Sequence, residues 1–199
     1  MGQVMGHAAL NVPMTGASFL AWDSSQTVKH EFVGGEVFAM AGADDRHVTA
    51  SLNLLVALHQ HLQGKPCRPY SSDMKLYVEA ASSYFYPDVM VTCSEADRAR
   101  SSAKQDAVLV IEILSPSTAA YDRGEKFAAY RQLPALKEYV LIDLDTRRCD
   151  IFRRNPADLW VLHPVEVGQP LHFESVQLSV SSDRLFANVG PTPNSVQPT

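Results

Sequence analysis

Cysteine is scarce in this chain of 199 residues: there are three, Cys67, Cys93 and Cys149, and no two form a CxxC pair. An odd, scattered set argues against a disulfide framework and against a zinc knuckle. It predicts three reduced thiols in a cytoplasmic protein. Long apolar runs are missing as well. No stretch reaches the roughly 20 residues that a membrane-spanning helix needs. The first sixteen residues lack a basic start and a long apolar centre, so no secretory signal is expected. They read as a loose leader, with Met5 and Met14 as alternative starts. Gly6 stands where N-myristoylation requires Ser or Thr. Excess positive charge is also absent. A net charge of −5 argues against tight non-specific nucleic-acid binding through a globally basic surface. Two local basic clusters remain, Arg98/Arg100/Lys104 and Arg147/Arg148/Arg153/Arg154, and both are expected to be solvated turns.

What is present suffices for a globular fold. Hydrophobic residues make up 46% and charged residues 20%, so most of the chain can bury a core. One domain is expected over residues 17–188, with 1–16 as leader and 189–199 as a disordered tail. Phe19 to Trp22 can begin a short helix with Ser18 as its cap. Gly34-Gly35 between two β-prone segments predicts a hairpin across Glu31–Met40. A helix follows to about Gln63, capped by Asp44 or Asp45 and ended by Gly64 and Pro66. Val48, Leu52, Leu55, Val56 and Leu62 are expected to form its buried face. Strands are predicted over roughly Tyr70–Val78, Tyr84–Thr92 and Ala107–Leu114. A helix near Tyr121–Leu133, a strand Glu138–Asp143 and a β meander through Arg148–Arg153 and Leu159–His163 come next. Asp183–Ala187 reads as a last turn of helix. This order predicts an α/β (α+β) fold, a mixed central sheet flanked by helices.

The chemistry centres on a carboxylate within an apolar run, Val108-Leu-Val-Ile-Glu112-Ile-Leu-Ser-Pro116. Val108, Val110, Glu112 and Leu114 share one strand face; Leu109, Ile111 and Ile113 share the other. Both faces are apolar, so the strand is expected to be central. A charge there costs several kcal/mol unless a base, a proton or a metal compensates it. Asp88 opens the preceding strand. If the two strands pair antiparallel, Asp88 and Glu112 converge. Two close anions repel, and a bound Mg2+ or Mn2+ removes that conflict. The residues alone also allow Asp88 to be a turn residue after Pro87 and Glu112 to be paired with Arg or Lys.

Several motifs in order resemble one family. They are Glu31-Phe-Val-Gly-Gly-Glu36, His47 at the start of a helix, Tyr86-Pro-Asp88-Val, Glu112-Ile-Leu-Ser-Pro-Ser-Thr118, Asp122-Arg-Gly-Glu-Lys126-Phe-Ala-Ala-Tyr130 and Glu138-Tyr-Val-Leu-Ile-Asp143. From Phe19 to Phe186 the chain resembles the Uma-two family, a bacterial branch of the PD-(D/E)XK nuclease superfamily. The resemblance implies a restriction-endonuclease-like fold. It also implies that Asp88 and Glu112 are ligands of Mg2+ or Mn2+ and act on DNA. The superfamily's usual Lys falls at Leu114 here, so the strict Glu-x-Lys motif is broken. Lys126 is the substitute the resemblance points to, giving Asp88, Glu112 and Lys126 as the catalytic set. Lys75 competes for that role, and Glu31, Glu36 and His47 are secondary candidates. The function implied is a metal-dependent endonuclease, with DNA as partner and a homodimer as a reasonable assembly. The alternative is a catalytically degenerate nuclease fold that serves as a nucleic-acid-binding or assembly module. A two-carboxylate glycosidase ranks below both.

Overall fold

The computed structural model describes residues 14–40 and 42–191. Most of the expected leader, and the tail from residue 192, lie outside the described residues. In chain order the elements are α1 (Gly16–Asp23), β1 (His30–Val33), β2 (Glu36–Ala39), α2 (Asp45–Leu62), β3 (Arg68–Ser71), β4 (Lys75–Val78), a 3-10 turn (Glu79–Ala81), β5 (Ser83–Phe85), β6 (Val89–Thr92), α3 (Glu95–Ala99), β7 (Ala103–Lys104), β8 (Ala107–Leu114), α4 (Ala119–Tyr121), a π-helical turn (Asp122–Lys126), α5 (Phe127–Tyr130), β9 (Glu138–Asp143), β10 (Arg148–Arg154), β11 (Trp160–Val165), β12 (Leu171–Phe173), β13 (Leu178–Val180) and α6 (Ser182–Leu185).

A six-stranded mixed sheet runs β11-β10-β9-β8-β6-β3, and a five-stranded sheet runs β2-β1-β5-β4-β7. β8 sits inside the larger sheet, antiparallel to β6 and parallel to β9. The crossover from β8 to β9 is the α4–π–α5 segment, as a parallel pair requires. Leu109, Ile111 and Ile113 of β8 join the core with Leu54, Leu58 and Leu62 of α2. Val110 joins the opposite core with Tyr130 and Tyr139. Both faces of β8 are therefore covered, as its double apolar pattern predicts. The β1–β2 hairpin also forms, and both Gly34 (φ 58°) and Gly35 (φ 100°) adopt the positive φ its turn demands.

Helix α1 is capped by Thr15, not Ser18; Ser18 lies inside the first turn and its hydroxyl accepts the Thr15 N–H at 2.8 Å. Four further expectations need correction. Tyr70–Val78 and Tyr84–Thr92 are not continuous strands. Each crosses from one sheet to the other, β3 to β4 and β5 to β6. Ser71–Met74 makes a turn in the first, closed by Met74 N–H on the Ser71 carbonyl at 3.0 Å. Pro87 cannot donate to a ladder and interrupts the second. Helix α2 is capped by Asp44 as expected, its carboxylate accepting the His47 N–H at 2.8 Å. Its phase, however, is rotated. Val48, Leu52 and Val56 are 54%, 56% and 41% exposed, while Ala50, Leu54, Ala57 and Leu58 face the sheet. The helix is apolar on two adjoining stripes, and small Ala50 and Ala57 let the second approach the strands closely.

The third correction concerns Cys67 and Cys93, which form a disulfide. β3 and β6 pair antiparallel with Arg68 opposite Thr92, so the next residues outward meet each other. Their separation of 26 residues hides this pairing in the sequence. Cys149 alone is free; burial pushes its thiol up to about 12.

The fourth concerns Arg98/Arg100/Lys104. Lys104 is buried, and its ammonium donates to the carbonyls of Asp97 and Arg100. Asp97 is the hub of this region. Its carboxylate accepts from Thr92 Oγ1 at 2.7 Å, from Arg100 at 2.6 Å and from the N–H groups of Gln105 and Asp106 at 3.0 and 2.9 Å. Burial would raise the Asp97 carboxyl, but these donors outweigh it and hold it below its ordinary 3.8. Its stabilising contribution is thus present above pH 3.8 and lost as pH falls through its lower folded value. Asp97→Ala is expected to cost about 2–3 kcal/mol, or about 5–10 °C in Tm at neutral pH. Differential scanning fluorimetry from pH 7 downward checks it: the gap to the native chain should narrow below pH 3.8.

Candidate active site

The antiparallel register pairs Val89 with Ile111, so the next residues, Asp88 and Glu112, stand opposite each other at the rim of the larger sheet. The two are laced together through backbone groups. The Asp88 N–H donates to Glu112 Oε2 at 3.3 Å, and the Ile113 N–H donates to Asp88 Oδ2 at 2.7 Å. His47, one turn into α2, places Nε2 2.8 Å from Asp88 Oδ1. On the other side, Lys126 Nζ donates to Glu112 Oε1 at 3.1 Å, and the Tyr130 hydroxyl donates to the same oxygen at 2.9 Å. Lys126 also lies 3.3 Å from Glu31 and 3.5 Å from Asp122. The π turn carries both Asp122 and Lys126 and turns both inward, in a local form that often marks functional sites.

Lys126 therefore reaches the place that Leu114 leaves without an amine. Lys75 does not. It pairs with Asp23 at 2.8 Å and lies over the Tyr86 ring, within a neighbouring network that includes His30. Glu31 joins the cluster, accepting the Tyr86 N–H at 3.1 Å. Glu36, on the partner strand of the hairpin, is exposed and stays apart. Asp122 and Tyr130 belong to the cluster as well, beyond the residues expected from sequence. Their four-residue spacing around Lys126 was the available signal. A groove of about 1270 Å3 opens over the cluster, lined by His47, Asp88, Glu112, Asp122 and Lys126 and walled by Leu52 and Leu55 of α2.

Electrostatics follow from burial and from a surplus of carboxylates. Burial is the largest influence on Glu112 and raises it. The charges of Asp88, Asp122 and Glu31 add to that against the opposing pull of Lys126, and the carboxyl ends well above its ordinary range. Glu31 and Asp122 are raised too, chiefly by burial, with Lys126 opposing. For Lys126, burial alone would lower the ammonium. Glu112, Glu31 and Asp122 outweigh it and hold the amine well above the usual lysine range. His47 behaves likewise: burial lowers it, the hydrogen bond and charge of Asp88 prevail, and it ends above 6.5. Lys126 is thus a fixed cation and a hydrogen-bond donor, not a base.

The cluster holds more negative than positive charge, and a buried carboxylate group of this kind takes up a proton or a cation. Asp122 Oδ1 is buried and accepts no hydrogen bond; its contact with the Lys126 ammonium at 3.5 Å is purely ionic. The carboxylate oxygens are hard donors, the kind Mg2+ and Mn2+ prefer. Among the described residues, no group of three or more His, Cys, Asp and Glu side chains is arranged to hold a metal ion. Asp88 and Glu112 are the two facing carboxylates that could hold such an ion.

A family model described as Uma2, "Putative restriction endonuclease", matches residues 17–183. The chain belongs to the Uma2 family. Uncharacterized protein slr1290 of Synechocystis sp. is 34% identical over 168 residues, covering 84% of this chain and 88% of its own. Uncharacterized protein sll1609 of the same organism is 35% identical over 151 residues, covering 75% and 85%. Among solved structures, "a putative nuclease belonging to DUF820" from Anabaena variabilis superposes with a TM-score of 0.72 at 15% identity. It covers 87% of this chain and 98% of its own. That likeness establishes for this Uma2 member the nuclease-type fold, a mixed sheet flanked by helices. No helix among the described residues is long and apolar enough to cross a membrane.

Proposed function

We propose that this Uma2 protein is a Mg2+- or Mn2+-dependent endonuclease that hydrolyses DNA phosphodiester bonds. One observation carries the reading: the Lys126 ammonium lies 3.1 Å from Glu112, which faces Asp88 across the β6–β8 ladder. A cation held by Asp88 and Glu112 would polarise the phosphoryl oxygen and acidify a bound water. The chain's own groups do the rest. Lys126, kept protonated by its carboxylate neighbours, donates hydrogen bonds that orient the attacking water and offset charge on the phosphate. Tyr130 fixes the rotamer of Glu112, and His47 fixes that of Asp88. The reading is an in-line displacement by water, with no covalent enzyme intermediate. A homodimer offering one groove to each strand of a duplex belongs to this reading.

A second reading has its own support. Two of the groove's other cations are already engaged, Lys29 with Asp73 and Arg46 with Asp145 at 2.7 Å. A groove with few free cations suits a catalytically silent nuclease fold that binds or assembles without cutting. The deciding experiment is nicking of supercoiled plasmid by the full chain. Conversion in Mg2+ or Mn2+, abolished by chelator, is expected. A Tm rise on adding either ion, with no cleavage of any DNA offered, would transfer the case to the second reading.

A further inference from the structure

We propose that the Cys67–Cys93 bridge is a thiol–disulfide exchange site, served by a small anionic thiol that docks in the basic pocket beside it. The bridge lies at the opposite end of β6 from Asp88, and the inference is independent of the nuclease reading.

A pocket of about 530 Å3 opens here, lined by Lys65, Cys67, Lys137, Arg153 and Arg154 together with Glu138 and Glu174. Both carboxylates are held by Arg153, at 2.8 and 3.0 Å. Lys65 meets the His61 ring at 2.9 Å, and neither Lys65 nor Lys137 forms an ion pair among the described residues. Arg154 is paired with Asp158 at 3.4 Å, and Arg98, beside the bridge, with Glu95 at 2.8 Å, so the two lysines supply the pocket's excess charge. The pocket is therefore positive, and positive surroundings favour thiolate over thiol. Cys67 and Cys93 are both partly exposed, but Cys67 is the one that lines the pocket.

A purely structural purpose accounts poorly for this bond. Small domains use disulfides when they cannot bury enough apolar surface. Here two large cores flank the sheet, and β3 is already paired with β6 from Arg68 opposite Thr92 to Ser71 opposite Val89. The exchange balances as follows. The incoming thiolate attacks Cys67 Sγ, the Cys67–Cys93 bond breaks, and Cys93 leaves as a thiolate that takes a proton from water. A second molecule of the small thiol attacks the sulfur of the first in the mixed disulfide and releases Cys67. Two thiols are oxidised to their disulfide, and the bridge is reduced by two electrons; an oxidised small thiol reverses both steps.

The test uses the oxidised full chain with glutathione as the anionic probe and 2-mercaptoethanol as the neutral one. Free thiols are read by alkylation and mass spectrometry while near-UV circular dichroism reports the native state. Glutathione is expected to reduce the bridge in the folded protein and, in oxidised form, to lodge on Cys67 in the Cys93→Ser variant. The double variant Lys65→Ala/Lys137→Ala is expected to slow glutathione on the order of 10-fold and to leave 2-mercaptoethanol nearly unchanged. Both lysines are on the surface, so that variant should fold normally. The inference fails if no bridge forms under oxidising conditions, if reduction requires prior unfolding, or if the two lysines make no difference.

Discussion

Glu112→Gln is expected to melt higher than the native chain in chelator and to lose DNA cleavage. The first half follows from the charge surplus. Folding brings Glu112 into the company of Asp88, Asp122 and Glu31 and away from water, and its carboxyl is raised well above the ordinary 4.5. A group raised on folding stabilises fully below its unfolded pKa and loses that contribution as pH rises through the folded value. Glu31 and Asp122 are raised as well, so the same sign applies to them. Without divalent ions, the native chain should therefore lose stability as pH climbs from about 4.5 through its raised carboxyl values. Glutamine keeps the oxygen that accepts from Lys126 and Tyr130 but carries no charge; its NH2 replaces the oxygen that takes the long 3.3 Å bond from the Asp88 N–H, so that one weak bond is lost. A gain of about 1–2 kcal/mol at neutral pH is expected, about 2–8 °C in Tm. The second half follows because the amide is a poor ligand for a hard cation. Mg2+ should raise the Tm of the native chain, by an increment that grows with ion concentration, and should leave Glu112→Gln nearly unmoved. Thermal melts at several pH values, with and without Mg2+, read all of this. A variant less stable than the native chain at pH 8 in chelator would refute the charge-surplus account.

The parts of this molecule that could be read from sequence are those set by local chemistry. β8 is legible because both its faces are apolar and Ser-Pro-Ser ends it. The hairpin is legible because Gly34-Gly35 supplies the positive φ its turn needs. Asp88 opposite Glu112 follows once β6 and β8 are taken as antiparallel neighbours. What escaped depends on contacts between distant segments. The turn at Ser71–Met74 and the break at Pro87 send one run of residues into two sheets, and that is what brings Glu31 behind Lys126. The phase of α2 is hidden because its large apolar residues make a stronger pattern than Ala50 and Ala57, whose small side chains allow closer packing. The Cys67–Cys93 bridge depends on the register of β3 with β6, which no local pattern announces. Asp122 was visible as a helical neighbour of Lys126. Its burial in the cluster, where its Oδ1 meets Lys126 at 3.5 Å, required the π turn and the sheet together.

Lys126→Met is expected to be the most damaging single change in the protein, and Leu114→Lys is expected to repair part of it. Lys126 is 7% exposed and lies among Glu31, Glu112 and Asp122. Removing it leaves buried carboxylates without their cation, a loss of about 3–5 kcal/mol, or about 10 °C in Tm. Cleavage should fall about 100- to 1000-fold, the usual cost of losing a positioned donor at a developing charge. Added Mg2+ should recover more Tm in this variant than in the native chain, since it enters a cluster left more negative. Leu114 shares a strand face with Glu112, two residues on, and lines the same groove. A lysine there extends its amine along the sheet toward the carboxylates from the strand rather than from the helix. The double variant Leu114→Lys/Lys126→Met is therefore expected to regain at least about tenfold of the lost cleavage, by analogy with restoring one such donor. Plasmid nicking and thermal melts of the native chain, both single variants and the double variant decide the point. A Lys126→Met protein that cuts at the native rate would remove Lys126 from the chemistry. A double variant that regains stability without any cleavage would confine its role to holding the carboxylates together.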